Sequence, residues 1–185
     1  MRKQKKELKP IDLTKIKTYP IKKRKNLVNI GQFGKPIELK SFNKFIDSLP
    51  KVLAADGLRN VISNIVKAHN KNRQVVLAIG AHVIKCGLSP IVIDLMKRGI
   101  VTAVAMNGSG AIHDYEMSLI GETSEDVSHS LKDGTFGMAK ETAEAIQAAA
   151  SVPESGLGRA LGNKILKYKN KYKQHSILAE GARLN

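Results

Sequence analysis

Two stretches of this 185-residue chain carry side chains suited to chemistry. The first is Gly80-Ala81-His82-Val83-Ile84-Lys85-Cys86-Gly87-Leu88-Ser89, and the second is Asn107-Gly108-Ser109-Gly110-Ala111-Ile112-His113-Asp114. Gly108 and Gly110 flank Ser109, so backbone amides there can approach a ligand closely, and a helix starting beyond them adds unpaired N–H groups suited to phosphate. The spacing is not the dinucleotide fingerprint G-x-G-x-x-G, because His113 stands where its third glycine belongs, and no Walker A sequence occurs. The same glycines equally suit a plain chain reversal. His113, Asp114 and Glu116 cluster at the start of the following helical pattern. His113 is a candidate general base or acid, and Asp114 or Glu116 could bind a substrate amine, a cation or a ribose hydroxyl. Helix capping and dipole compensation are the other use of such early acids.

Lys85 beside a phosphate-binding loop is a further candidate. A metal site at His82 and Cys86 would need more Cys or His at ligand spacing, and only His113 could add one, so no metal site is expected. Cys86 reads as a small, buried apolar residue rather than a nucleophile. His69, His129 and His175 have no motif around them and read as surface positions.

Both loops need a scaffold, and the flanking sequence supplies one. Val75 to Ile79 and Val101 to Met106 are short apolar runs expected as parallel strands covered on both faces. Between them Ser89-Pro90 opens a helix to about Arg98, with Ser89 as cap, and Gly99 closes it. A helical pattern from Ala111 to Ile120 completes a βαβα unit, whose two loops lie at the carboxyl ends of the strands, where open parallel sheets bind ligands. Upstream, Ser41 caps a short helix that Pro50 stops, and Leu58, Val61, Ile62, Ile65 and Val66 recur at helical spacing over about Leu53 to Ala68. Downstream, helices are expected from Ser124, an N-cap, to about Leu131, then over Gly137 to Ala150, Leu157 to Tyr168 and Ser176 to Arg183. The expected fold is α/β, a parallel sheet flanked by helices, which the resemblance given below implies to be Rossmann-like. Two strands are few for such a sheet, so it is expected to be incomplete in this chain.

Composition sets the context. Apolar residues make up 42% and charged residues 25%, which argues for a globular chain rather than a disordered or fibrous one. No long uncharged apolar run and no signal peptide is visible, and there is a single cysteine, so a cytoplasmic protein away from membranes is expected. The net charge of +15 is unevenly spread. Residues 1–25 hold eleven Lys/Arg against two acids and residues 159–185 seven against one, whereas residues 76–158 hold five against ten. Residues 1–40 therefore read as a basic N-terminal arm and residues 41–185 as the folded domain, which the resemblance given below implies to be nucleotide-binding. Solubilising lysines explain basic flanks as well as a nucleic-acid surface does, and few aromatics interleave with them.

The run Val75 to Leu119 resembles the deoxyhypusine synthase superfamily. It is closest to the uncharacterised bacterial deoxyhypusine-synthase-like proteins, which share G-A-H-V-I-K-x-G-L-S-P, A-I-H-D-x-E and then G-x-T-S-E-D-V over most of residues 15–165. The resemblance implies a Rossmann-like domain and NAD contacts at Gly80, Ala81, His82 and Lys85 and at Asn107, Gly108, Ser109 and Gly110. It also implies an NAD-dependent transferase acting on an amine by hydride removal, with His113 as base and Asp114 or Glu116 holding the amine, and a homo-oligomer such as a tetramer. Two polyamine-holding glutamates of the family correspond here to Ile112 and His113, and the family's later Trp-Gly-Lys is not reached. The expected activity is thus like that of deoxyhypusine synthase rather than identical to it, from a chain resembling an incomplete copy. The rival expectation is a non-catalytic protein whose basic arms engage RNA or another acidic partner.

Overall fold

The structure is a computed structural model that describes Asp12 and residues 41–184, apart from residues 133, 153–155 and 169 and the His129 side chain. The N-terminal arm, Asp12 aside, lies outside the described residues. The chain divides into two compact units, Met1–Asn60 and Val61–Asn185.

In the first unit, helix α1 (Phe42–Ser48) is capped by Ser41, whose hydroxyl accepts the Lys44 N–H at 3.3 Å. Its last turn leaves carbonyls without helical partners. Arg59, in helix α2 (Leu53–Asn70), supplies them: its guanidinium donates to the carbonyl of Ile46 at 2.9 Å and to that of Pro50 at 2.8 Å.

The second unit is mixed α/β, mostly helical around a two-stranded parallel sheet. Strands β1 (Val76–Ile79) and β2 (Ala103–Met106) pair with Val76 opposite Ala103 and Ile79 opposite Met106. The crossover between them carries α3 (Ala81–Lys85) and α4 (Ser89–Lys97). After β2 come α5 (Gly108–Ile120), α6 (Val127–Ser130), α7 (Lys140–Ala150), α8 (Gly156–Lys167), a 3-10 turn (Lys173–His175) and α9 (Ile177–Leu184).

Two apolar clusters hold these elements. Ile84, Val92, Ile93 and Ile177 pack against Leu77, Ile79, Val104 and Met106, covering one face of the sheet. Ala111, Tyr115, Ala145, Ala149, Leu161, Ile165 and Ala179 join α5, α7, α8 and α9. The two last helices come close at Gly162, where an added Cβ would fall within 2.9 Å of the Leu178 carbonyl carbon.

Several local expectations need correction. The sheet is covered on one face only: Val76 is 60% exposed, and Ala78, Ala103 and Ala105 share its face and its exposure, because no described helix packs there. The first loop is not irregular; Ala81 and Ile84 turn into the core and wind Ala81–Lys85 into a helix. Ser89 sits inside α4 with Leu88 as the cap, and the Ser89 hydroxyl is buried without a hydrogen-bond partner. Ser124 adopts φ +71, a left-handed conformation that an N-cap does not use, so α6 starts only at Val127. Cys86 is exposed, because it caps the C-terminal end of α3 rather than entering the core.

Candidate functional site

Parallel pairing brings the two loops to one rim. Ile79 and Met106 are register partners, so Gly80 and Asn107 leave the strands side by side, and a Cβ added to Gly80 would lie 3.8 Å from Asn107 Nδ2. Asn107 is the N-cap of α5: its Oδ1 accepts the Gly110 N–H at 2.9 Å and its carbonyl accepts the Ala111 N–H at 3.1 Å. The glycine-rich segment is therefore the first helical turn rather than a loop ahead of it. Gly110 is packed against Met106, where a Cβ would meet its side chain at 3.3 Å, so this glycine answers to packing. Gly108 is different. Nothing lies within 4 Å of a Cβ built there, and Gly108 and Ser109 are both exposed. Their N–H groups belong to the first turn, where a helix has no internal acceptors. His82 and Lys85 are exposed on α3 beside this rim, while Ala81 is buried.

Ser109, His113 and Glu116 are spaced to share one stripe of α5. His113 Nδ1 lies 2.6 Å from Thr123 Oγ1, the Thr123 hydroxyl donates to Glu116 Oε2 at 2.6 Å, and the Thr142 hydroxyl donates to Glu116 Oε1 at 3.2 Å. The single hydroxyl proton of Thr123 goes to Glu116, so the imidazole must donate through Nδ1. In the neutral ring that fixes the tautomer, by hydrogen-bond accounting, and makes Nε2 the proton acceptor. His113 and Glu116 are themselves 3.7 Å apart, Nδ1 to Oε2, with side chains 17% and 22% exposed. Both are therefore partly open to solvent. Thr123 and Thr142 escaped the reading of the sequence, since a threonine in a turn and another in a helix carry no motif.

Asp114 points away from this stripe. It is fully buried, and its carboxylate accepts the Ser176 hydroxyl at 2.6 Å and the N–H groups of Ile177 at 2.9 Å and Leu178 at 3.0 Å. Burial pushes its carboxyl above the usual range, against the lowering effect of those three donors. Asp114 thus serves as the cap of α9, and of the three clustered residues only His113 and Glu116 face the accessible stripe. At the next residue, burial, with help from Glu141, Tyr168 and Glu144, likewise pushes the Tyr115 phenol up.

His69 and His175 are exposed; His69 Nδ1 lies 3.3 Å from the Gly99 carbonyl oxygen. Among the described residues no three of His, Cys, Asp or Glu gather as metal ligands, and no helix is long and apolar enough to cross a membrane. Comparison with protein-family models, with curated proteins and with solved structures finds no match to this chain.

Proposed function

We propose that this chain is a deoxyhypusine-synthase-like nucleotide-binding protein, Rossmann-like in layout, that takes NAD or a related nucleotide across Gly80–Lys85 and Asn107–Gly110. The observation that supports the reading is the adjacency of Gly80 and Asn107 at the carboxyl end of a parallel strand pair, next to the bare, exposed first turn of α5. The residues fit the group: Gly108 and Ser109 offer free N–H donors to a phosphate, Gly108 leaves space above them, and Lys85 and His82 add donors from α3. Bound NAD supplies a two-electron acceptor for hydride removal from an amine. His113 takes a proton at Nε2, in a tautomer held by Thr123 and Glu116. The Glu116 carboxylate holds the amine from one turn further along α5, while Asp114 keeps α9 in place. With Asp114 buried, Glu116 is the acid of the His113–Glu116 cluster left to meet the amine, which suits a small amine better than a polyamine with several charges. An assembly of several copies belongs to the same reading, supported by the bare apolar face around Val76.

Isothermal titration of the full chain with NAD, NADH and AMP tests it. Saturable binding that Gly108→Val abolishes is expected; no binding of any of the three by the folded chain overturns it.

A second reading rests on one observation. Lys164 Nζ lies 5.6 Å above the Tyr168 ring, Lys171 Nζ lies 5.3 Å above Tyr172, and Tyr168 is 57% exposed, so aromatic faces do interleave with the basic C-terminal flank. Such a surface can stack unpaired bases of RNA. A labelled polyuridine would then lose affinity steeply between about 50 and 200 mM salt, and a flat response returns these lysines to solubilising work.

A further inference from the structure

A groove of about 560 Å³ runs along β2 in the second unit, from Val101 to Met106, and is lined by none of the rim residues Gly80–Lys85 or Asn107–Gly110. Thr102, Ala103 and Val104 all line it. Successive strand residues turn to opposite faces, so a wall that holds Ala103 and Val104 together is the edge of the strand. The Ala103 N–H donates to Val75 at 3.3 Å, which turns the backbone of Ala103 and Ala105 toward β1. The N–H and C=O of Val104 and Met106 therefore face the groove, where no described strand pairs with them. Such an edge is a template for a further strand.

The opposite wall makes room for one. Gly158 of α8 and Gly181 and Ala182 of α9 line it, and an added Cβ meets its nearest neighbour at 3.9 Å at Gly158 and 3.6 Å at Gly181. Leu178 and Val101 give the groove an apolar floor. Lys97 and Arg159, both exposed, supply charge, and no Asp or Glu is among the described lining residues. A second copy of a chain with net charge +15, or its own cationic residues 1–25, would bring like charge to these two groups.

We propose that this groove takes an extended segment of a different polypeptide, with alternating apolar and acidic side chains, which pairs with β2 as a third strand. Backbone hydrogen bonds to Val104 and Met106 hold it, apolar side chains cover Leu178 and Val101, and carboxylates meet Lys97 and Arg159. The proposal is independent of nucleotide binding.

The test uses the full chain and two labelled hexapeptides, Glu-Val-Glu-Val-Glu-Val and Lys-Val-Lys-Val-Lys-Val, followed by fluorescence anisotropy. The acidic peptide is expected to bind about tenfold or more tightly than the basic one, and to slow hydrogen exchange at the Val104 amide. Gly181→Phe plugs the groove where only the Met96 methyl lies near, and it replaces a poor helix former. It should abolish binding while the thermal melt is kept. Arg159→Glu, at an exposed position, should weaken binding without touching the core. Equal binding of both peptides, no binding of either, or binding that survives Gly181→Phe overturns the proposal. Self-association by sedimentation that Gly181→Phe removes, in the absence of peptide binding, assigns the groove to a second copy and overturns it as well.

Discussion

The Asp114 carboxylate accepts the backbone N–H of Ile177 at 2.9 Å, across sixty-three positions of sequence. An acid on one helix thereby helps to cap another, taking the first two N–H groups while the preceding residue takes the third in the usual way. Ser176, which is that preceding residue, donates to Asp114 and also accepts the Ala179 N–H at 2.9 Å, so cap and anchor form one buried network. Asp114→Ala should cost about 2–4 kcal/mol, from unpaired buried donors and a lost cap. Asp114→Asn, which retains an acceptor, should cost less. Urea denaturation of the two variants measures both values.

Acidity gives a second test of that residue. Burial holds the Asp114 carboxyl above its ordinary 3.8, so the folded chain binds this proton more tightly than the unfolded one. Between 3.8 and the raised folded value, the contribution of Asp114 to stability declines as pH rises. Asp114→Asn does not titrate there. The stability advantage of the parent over Asp114→Asn should be largest in acid and shrink toward neutrality, as followed by denaturation across pH.

Thr123 should govern the histidine. With Thr123→Val the acceptor for His113 Nδ1–H is gone, and the ring is free to carry its proton on Nε2. Long-range nitrogen–proton NMR should report the Nδ1–H form in the parent and a shift toward Nε2–H in the variant. An unchanged tautomer would sink the relay assigned to Thr123 and Glu116.

Gly108 and Gly121 should separate binding from folding. Gly108→Ala meets open space, so the melt should hold within about 0.5 kcal/mol while affinity for a nucleotide phosphate falls about tenfold. Gly121 ends α5 at φ +79, and an added Cβ would lie 2.9 Å from the Tyr172 ring. Gly121→Ala should therefore cost about 1–3 kcal/mol, from backbone strain and displacement of that ring.

The periodic apolar residues of α2, α4 and α5, and the two strand runs, were legible because their pattern is local. That the two loops share one rim was legible too, since both follow parallel strands at their carboxyl ends; the pairing of Gly80 with Asn107 needed the register. Asp114 was not. Its neighbours His113 and Glu116 face out and it faces in, and only the fold reveals that its partners lie at Ser176 to Leu178. Thr123 and Thr142 were hidden for the same reason, each being recruited by geometry from a separate segment. The bare face of the sheet was hidden because apolar runs such as Val75 to Ile79 do not say how many layers will cover them.

The sole thiol of this chain lies at the end of α3, exposed and six positions beyond Gly80. A maleimide dye would attach there at one defined point without any engineering. Emission from that tag would register an arriving nucleotide at the rim and remain silent to events along the β2 groove, so a single labelled sample could tell the two surfaces apart.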